Sequence, residues 1–268
     1  MCSCVANSTT RNIKRNVRLI ALVLFSENRY DSRNNRVIGA MKNFYTASLL
    51  PLLMLGCVSQ NYNAEGVRYY GQARYDVAIT AFQSALTASP NDPNTLYNIA
   101  ATYHQSARTS LRSGHTATAQ QQYEQAVQYY QLCLAKDPNN ANAYRGLSAL
   151  YMDCQNPEAA FQLLINWGNM NPVSTEPTLE LARLYQEFAK ISMIQGRTEV
   201  AQRCRDATER YLQQVLAVEP ANYRALRAWG FLKEQNGDIS GAIAEYQRSI
   251  QAHPQQQDLA ERVTALTR

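Results

Sequence analysis

Five prolines divide most of the sequence into segments of two alternating lengths. Pro90, Pro138, Pro172, Pro220 and Pro254 follow one another at intervals of 48, 34, 48 and 34 residues, and each ends an amphipathic stretch rich in Ala and Tyr. A period of about 34 residues is typical of stacked helical hairpins. Because arrays of this kind present extended binding surfaces, the spacing favours a binding protein over an enzyme.

The residues that precede the prolines recur at helical spacing. Gly66, Tyr69, Ala78 and Phe82 come before Pro90 in that order. Small residues allow two helices to approach closely, the aromatic rings fill the layer between them, and the proline ends the second helix. This order of residue types resembles the tetratricopeptide repeat. The resemblance extends over five consecutive units, residues 59–92, 93–140, 141–174, 175–222 and 223–256.

The resemblance implies an all-α fold, a right-handed superhelical solenoid of about five helical hairpins that would occupy residues 57–256. Residues 257–268 alternate apolar and charged residues at helical spacing, and we expect them to form the polar capping helix that closes such an array. A helical bundle in which prolines recur by chance is the alternative. The shared register of the five prolines argues against that alternative.

The second and fourth units are each 14 residues longer than the others. A shift of 82 residues aligns their extra segments, so that Gly114 meets Gly196 and Thr116 meets Thr198. We expect each glycine to end a helix and each threonine to cap the next one. Adding seven residues to both helices of a unit preserves its apolar stripe, because seven residues are close to two helical turns.

Two extended units would project from the same edge of the array, with the short third unit between them. The turn of that third unit would form the floor of a notch, and the notch candidates are Asp153, Gln155 and Asn156, together with Cys154. One hypothesis is that the notch is a docking site for a partner. The other is that the extra turns only enlarge the hydrophobic core.

In the family that the sequence resembles, the first helix of each unit lines a concave face, and a protein or peptide partner commonly lies along it. Aromatic side chains on that face would supply contact area at low entropic cost, and its arginines could attract an acidic ligand. The register places ten groove candidates there: Tyr70, Tyr97, His104, Asn142, Arg145, Met152, Arg183, Arg224, Arg227 and Phe231.

Residues 41–56 have the pattern of an export leader, with a positive start and an apolar run too short to span a bilayer. A small residue before Cys57 completes a resemblance to the bacterial lipoprotein signal peptide, which implies a covalent lipid on Cys57 as a membrane anchor. Alternatively, residues 44–56 form a core helix and Cys57 is a buried thiol. We expect residues 1–40 to be a disordered extension or a misassigned start.

The net charge of +5 is concentrated at the front of the chain. Residues 1–42 hold eight of the 26 basic residues and two of the 21 acidic ones, which leaves 18 basic and 19 acidic residues in the remainder. Nucleic-acid binding needs a basic surface. The near-neutral remainder therefore predicts no nucleic-acid partner.

Motifs that carry catalysis or bind metals are absent from the sequence. It has no HExxH, GxSxG, P-loop or zinc-ligand spacing. Of its three histidines, we expect His104 on a first helix, His115 in a turn and His253 beside the last of the five prolines. The acidic pair Glu176 and Glu180 is expected to lie on a solvated helix face. We therefore predict no catalytic residue, no metal, no small-molecule substrate and no cofactor other than the lipid.

These features predict a non-enzymatic scaffold for protein–protein interactions, lipid-anchored in the bacterial cell envelope. By analogy with bacterial lipoproteins, Val58 after the anchoring cysteine favours the outer membrane over the inner one. The resemblance implies a role in assembling outer-membrane, pilus or cell-wall machinery. The alternative is a soluble cytoplasmic repeat adaptor without a lipid anchor.

Overall fold

The computed structural model describes residues 61–268, and within that range the chain forms helices joined by short turns, with no strand. The predictions for residues 1–40, residues 41–56 and Cys57 lie outside the described residues. The helices are α1 (61–71), α2 (Tyr75–Ala88), α3 (Pro93–Arg112), α4 (Thr116–Lys136), α5 (Ala141–Asp153), α6 (Pro157–Met170), α7 (Glu176–Ile194), α8 (Thr198–Val218), α9 (Tyr223–Gln235), α10 (Ile239–Ala252) and α11 (Gln257–Leu266).

Consecutive helices pair into five hairpins, α1–α2 to α9–α10, and the hairpins stack side by side. The second helix of one unit packs on the first helix of the next, as α4 does on α5 and α8 on α9. First helices also contact one another across units, α3 with α5 and α5 with α7. In a curved array, helices on the inner side lie closer together than helices on the outer side. The first helices therefore line the concave face. The predicted all-α solenoid is confirmed.

Each second helix ends two residues before one of the five prolines, as the sequence predicts. Helix α2 ends at Ala88 before Pro90, and α4 ends at Lys136 before Pro138. A proline lacks the N–H that a further helical turn would need, and it disfavours helical geometry in the residue before it. The remaining pairs are Met170 with Pro172, Val218 with Pro220, and Ala252 with Pro254.

The extended hairpins have the predicted geometry. Helices α3 and α4 contain 20 and 21 residues, against 13 and 14 in the short pair α5 and α6, so that each helix gains seven residues. Helices α7 and α8 contain 19 and 21. Gly114 and Gly196 follow the first helix of each extended pair with φ of +80° and +72°, in the left-handed region that favours glycine.

The prediction that Thr116 and Thr198 cap the second helices of these pairs is wrong. Both threonines are the first residues of their helices, and the N-cap positions belong to His115 and Arg197, neither of which makes a side-chain capping bond. The turn after each glycine is one residue shorter than the prediction assumed. Side-chain caps occur instead at Asp92, Asn140, Asn156, Asn222 and Asp238.

The shift of 82 residues that aligns the two extra segments also aligns the helices around them. It superimposes both ends of α4 on those of α8, of α5 on those of α9, and of α6 on those of α10, and the last residue of α3 on that of α7. The chain from α7 to α10 therefore repeats the chain from α3 to α6 as a block of two units.

Small residues set how closely the two helices of a hairpin approach. A Cβ atom on Gly66 would lie 2.5 Å from the ring of Phe82, and one on Gly230 would lie 2.6 Å from the ring of Tyr246. Both rings are buried. The alanine four residues before each ring is also inaccessible to solvent, which leaves the ring in contact with helix backbone.

Helix α11 closes the array, as predicted for a capping helix. Leu259 is buried against Tyr246 of α10, and Val263 and Leu266 pack beside it. Arg227 of α9 forms an ion pair with Asp258, so polar contacts also hold α11 in place. Within residues 61–268, no helix combines the length and apolar character that crossing a bilayer requires.

Candidate functional site

Three arginines on three successive first helices converge on one carboxylate at the concave face. Arg145 of α5 donates to Glu180 Oε1 from Nε at 2.9 Å and from Nη2 at 2.7 Å. Arg183 of α7 donates from Nε to Glu180 Oε2 at 2.8 Å, and Nη2 of Arg224 on α9 also donates to Oε1. Asn142 accepts from Arg145 Nη1 at 2.9 Å and holds that guanidinium in place. We call Arg145, Arg183, Arg224 and Glu180 the arginine cluster.

The Glu180 side chain is fully buried, whereas the three arginine side chains are about a third exposed. Burial raises the pKa of the Glu180 carboxyl, but the hydrogen bond from Arg145 and the charges of Arg183 and Arg145 outweigh it, so that the pKa lies below its ordinary value. Glu180 is therefore ionised at neutral pH. Charged groups this close to one another are stable only when they are paired, which explains the number of contacts.

The prediction that Glu176 and Glu180 lie on a solvated face is wrong. Glu180 has no exposed side-chain surface, and Glu176 accepts from Arg224 Nη1 at 2.7 Å. Arg145 lies 35 residues before Glu180 and Arg224 lies 44 after it, so each partner is about one unit away. An arginine one repeat length from a glutamate, on the same face of the first helices, was the sequence signal for this burial.

The other end of the groove is mainly aromatic. Tyr70 is 38% exposed and lies 5.9 Å from the Tyr75 ring, centroid to centroid. Tyr97 is half-buried and lies 6.1 Å from the ring of Tyr130. Burial raises the pKa of the Tyr97 hydroxyl, so it is uncharged and suited to hydrogen bonding at neutral pH.

One groove candidate and one notch candidate turn out to be bonded to each other. His104 of α3 is buried, and its Nε2 lies 2.9 Å from Oδ2 of Asp153 at the end of α5. Arg108 lies 3.3 Å from the same oxygen. These contacts tie the first extended hairpin to the third unit. Of the other notch candidates, Asn156 caps α6 by accepting from the Ala159 N–H, whereas Gln155 is exposed with a left-handed φ of +57°.

The remaining groove candidates are on α5 and α9. Met152 is half-buried against the apolar cluster shared by α5, α6 and α7. Phe231 packs beside the cluster that contains Tyr246, and Lys190 Nζ lies 5.3 Å from the centre of its ring. Arg227 is engaged by Asp258 and so contributes no unpaired charge to the groove. Within residues 61–268, no group of three or more His, Cys, Asp or Glu side chains could hold a metal ion.

Two sequence models described as tetratricopeptide repeat match the chain, one over residues 117–176 and the other over residues 195–257. Each match covers the second helix of one extended hairpin and the short hairpin that follows it. No curated protein matches the sequence.

The chain is similar to several solved structures, and the first of these has the same architecture. A thermophilic TPR protein of Thermus thermophilus is 25% identical, with 78% of this chain and 98% of that chain covered and a TM-score of 0.51. MamA is 18% identical over 75% of this chain and 94% of its own, with a TM-score of 0.40. YrrB, described as a TPR protein with an unusual peptide-binding site, is 14% identical over 76% and 90%, with a TM-score of 0.38.

We expect the change Glu180→Gln to lower the free energy of unfolding by about 2–4 kcal/mol at pH 7. The change removes the negative charge with which all three cluster arginines pair. Because those arginines are partly exposed, the loss of stability is smaller than for a fully buried ion pair. Urea unfolding measures the difference. Glu187→Gln is the matched control, because its exposed pair with Lys190 is worth at most about 1 kcal/mol.

The pH dependence of this difference has a defined sign. A carboxyl whose pKa is lowered on folding stabilises the protein above its unfolded pKa of about 4.3, and that contribution is lost as the pH falls through the folded value. The wild type and Glu180→Gln should therefore become equally stable in acid. A difference that is small at pH 7, or that persists unchanged in acid, would contradict the assigned role of the carboxylate.

Proposed function

We propose, from the premise that this chain belongs to the tetratricopeptide repeat family, that it binds a protein or peptide partner along its concave face and acts as a scaffold. The premise is supported by two matches to models of the repeat and by the fold itself. Proteins of this family bind peptides or proteins in the groove. The proposed function is binding, not catalysis.

The observation that carries the proposal is the excess of positive charge in the arginine cluster. Three guanidinium groups there are balanced by Glu180 and Glu176, so one positive charge is left at the concave surface. Each guanidinium has five N–H donors, and the contacts within the protein use only part of them. A carboxylate of a partner can take up the remaining donors on the exposed side in a bidentate arrangement.

The cluster is also rigid, which favours binding. Because Glu180 fixes the guanidinium planes from below, a partner carboxylate does not have to order three flexible side chains. The half-buried Tyr97, Met152 and Phe231 supply apolar contact along the same face. We therefore propose that the partner presents an extended or helical segment in which acidic residues alternate with apolar ones.

The proposed location is the bacterial cell envelope, with a lipid on Cys57 and the outer membrane favoured over the inner one. This part rests on the leader-like residues 41–56 and on Val58. A scaffold held on a membrane by acyl chains would suit the assembly of outer-membrane, pilus or cell-wall machinery. The alternative is a soluble cytoplasmic adaptor that uses the same groove.

A photo-crosslinker in the groove tests the binding function. With p-benzoylphenylalanine replacing Phe231, we expect irradiated cells to yield a discrete adduct with a partner. The control has the same group in place of Ile165 on α6, where the native side chain is 40% exposed. Since Phe231 is the less exposed position, random labelling would favour the control.

The same experiment tests the acidic nature of the partner. We expect Arg183→Gln to lower the adduct yield at least several-fold, and added salt to weaken it further, because both reduce the attraction for a carboxylate. Equal labelling from both positions would refute groove binding. A discrete adduct whose yield does not change with Arg183→Gln or with salt would refute only the proposal that the partner is acidic.

The anchor is tested by the mass of the mature N-terminus. We expect the processed chain to begin at Cys57 with added acyl mass, and Cys57→Ser to release it from the membrane fraction. An unmodified chain that begins before Cys57 would exclude the anchor and favour the soluble adaptor.

A further inference from the structure

A recess of about 390 Å³ opens between the second extended hairpin and the helix that follows it. Its walls come from α7, α8 and α9, outside the arginine cluster. Most of the surface is apolar, from Ala189, Met193, Ile194 and Leu232. The volume is at the lower end of the range for ligand pockets, large enough for one bulky side chain and the atoms that flank it.

Two polar groups that line this recess have no partner in residues 61–268. The Gln186 Nε2 atom is buried and makes no hydrogen bond. The half-buried Arg205 side chain forms neither a hydrogen bond nor an ion pair there. Burying a donor without an acceptor costs free energy, so native proteins pair nearly all such groups. A buried amide donor beside an unpaired guanidinium therefore points to an acceptor that a ligand supplies.

The first extended hairpin shows what fills the corresponding space. A shift of 82 residues relates Gln186 to His104, Arg205 to Tyr123 and Gln235 to Asp153. In the first block the ring of Tyr123 is buried, with its centre 5.9 Å from that of the His104 ring. His104 in turn is bonded to the Asp153 carboxylate at 2.9 Å. The first block therefore contains a phenol ring and a carboxylate where the second has neither.

Two apolar wall residues are the same in the two blocks. Ala107 corresponds to Ala189 and Leu150 to Leu232, and all four side chains are buried. The helices that carry them have matching ends under the same shift. The recess therefore lies on matching helices, at the place where the first block has a ring and a carboxylate and the second has Arg205 and Gln235.

We propose that this recess binds an aromatic side chain of a partner polypeptide that has an acidic residue next to it. The ring takes the place that Tyr123 occupies in the first block. The carboxylate takes the place of Asp153, accepting from Gln186 Nε2 and pairing with Arg205. Aromatic anchors in preformed, desolvated pockets contribute most to the affinity of protein interfaces. The site is separate from the arginine cluster and does not depend on it.

Methionine-methyl NMR of the full chain tests the site, because the side chain of Met193 lines it. The probe is the acetylated, amidated hexapeptide Gly-Ser-Glu-Tyr-Ser-Gly, and Met193→Leu assigns the signal. We expect millimolar peptide to shift the Met193 methyl signal while those of Met152 and Met170 stay in place. Replacing Glu in the peptide by Gln should weaken binding about tenfold, because a charged hydrogen bond is lost.

The decisive variant is Arg205→Tyr, which restores the residue found in the first block. We expect it to fold with unchanged or raised thermal stability and to abolish the shift of Met193. Arg203→Tyr is the matched control, since Arg203 lies two residues away with a largely exposed side chain, and it should bind normally. Failure of the peptide to shift Met193, or binding to Arg205→Tyr as strong as to the wild type, would overturn the proposal. An equal loss of binding in Arg203→Tyr would also overturn it.

Discussion

Close approach of helix backbones at small residues is the constraint on which this structure depends. Gly66 and Gly230 lie against the rings of Phe82 and Tyr246, at distances that leave no room for a side chain on either glycine. A hairpin packed in this way still exposes its outer faces, so that only the next hairpin can bury them. The result is an array in which the position of each first helix is fixed. Together, the first helices form the groove.

Local periodicity made most of the fold predictable. Single prolines and glycines predict where the helices end. The number of residues between them predicts which helices are longer. The threonine caps were not predictable, because the length of a three-residue turn decides whether a residue falls at the N-cap or one position later. Burial of Glu180 was missed for another reason. Its partners Arg145 and Arg224 are distant in sequence, and helical period alone does not report pairing between units.

The repeated two-unit block has diverged in its chemistry while keeping its helices. In the first block His104, Tyr123 and Asp153 fill the junction between the extended hairpin and the next unit. In the second block the same junction is an open recess, and Glu180, Arg183 and Arg224 of that block form the arginine cluster with Arg145 of the first block. The first junction is therefore filled by side chains bonded to one another, whereas the second presents unpaired donors. Both features fit the proposed scaffold that recognises acidic segments.

The close packing of helices is tested most directly by the stability of Gly230→Ala. A Cβ atom at this position would lie 2.6 Å from the Tyr246 ring and 3.1 Å from a backbone oxygen of Ala242. Gly71→Ala is the control, because a Cβ there would contact nothing within 4 Å. Urea unfolding should show Gly230→Ala destabilised by about 1–3 kcal/mol and Gly71→Ala unchanged or slightly stabilised. Equal stability of the two variants would contradict the account.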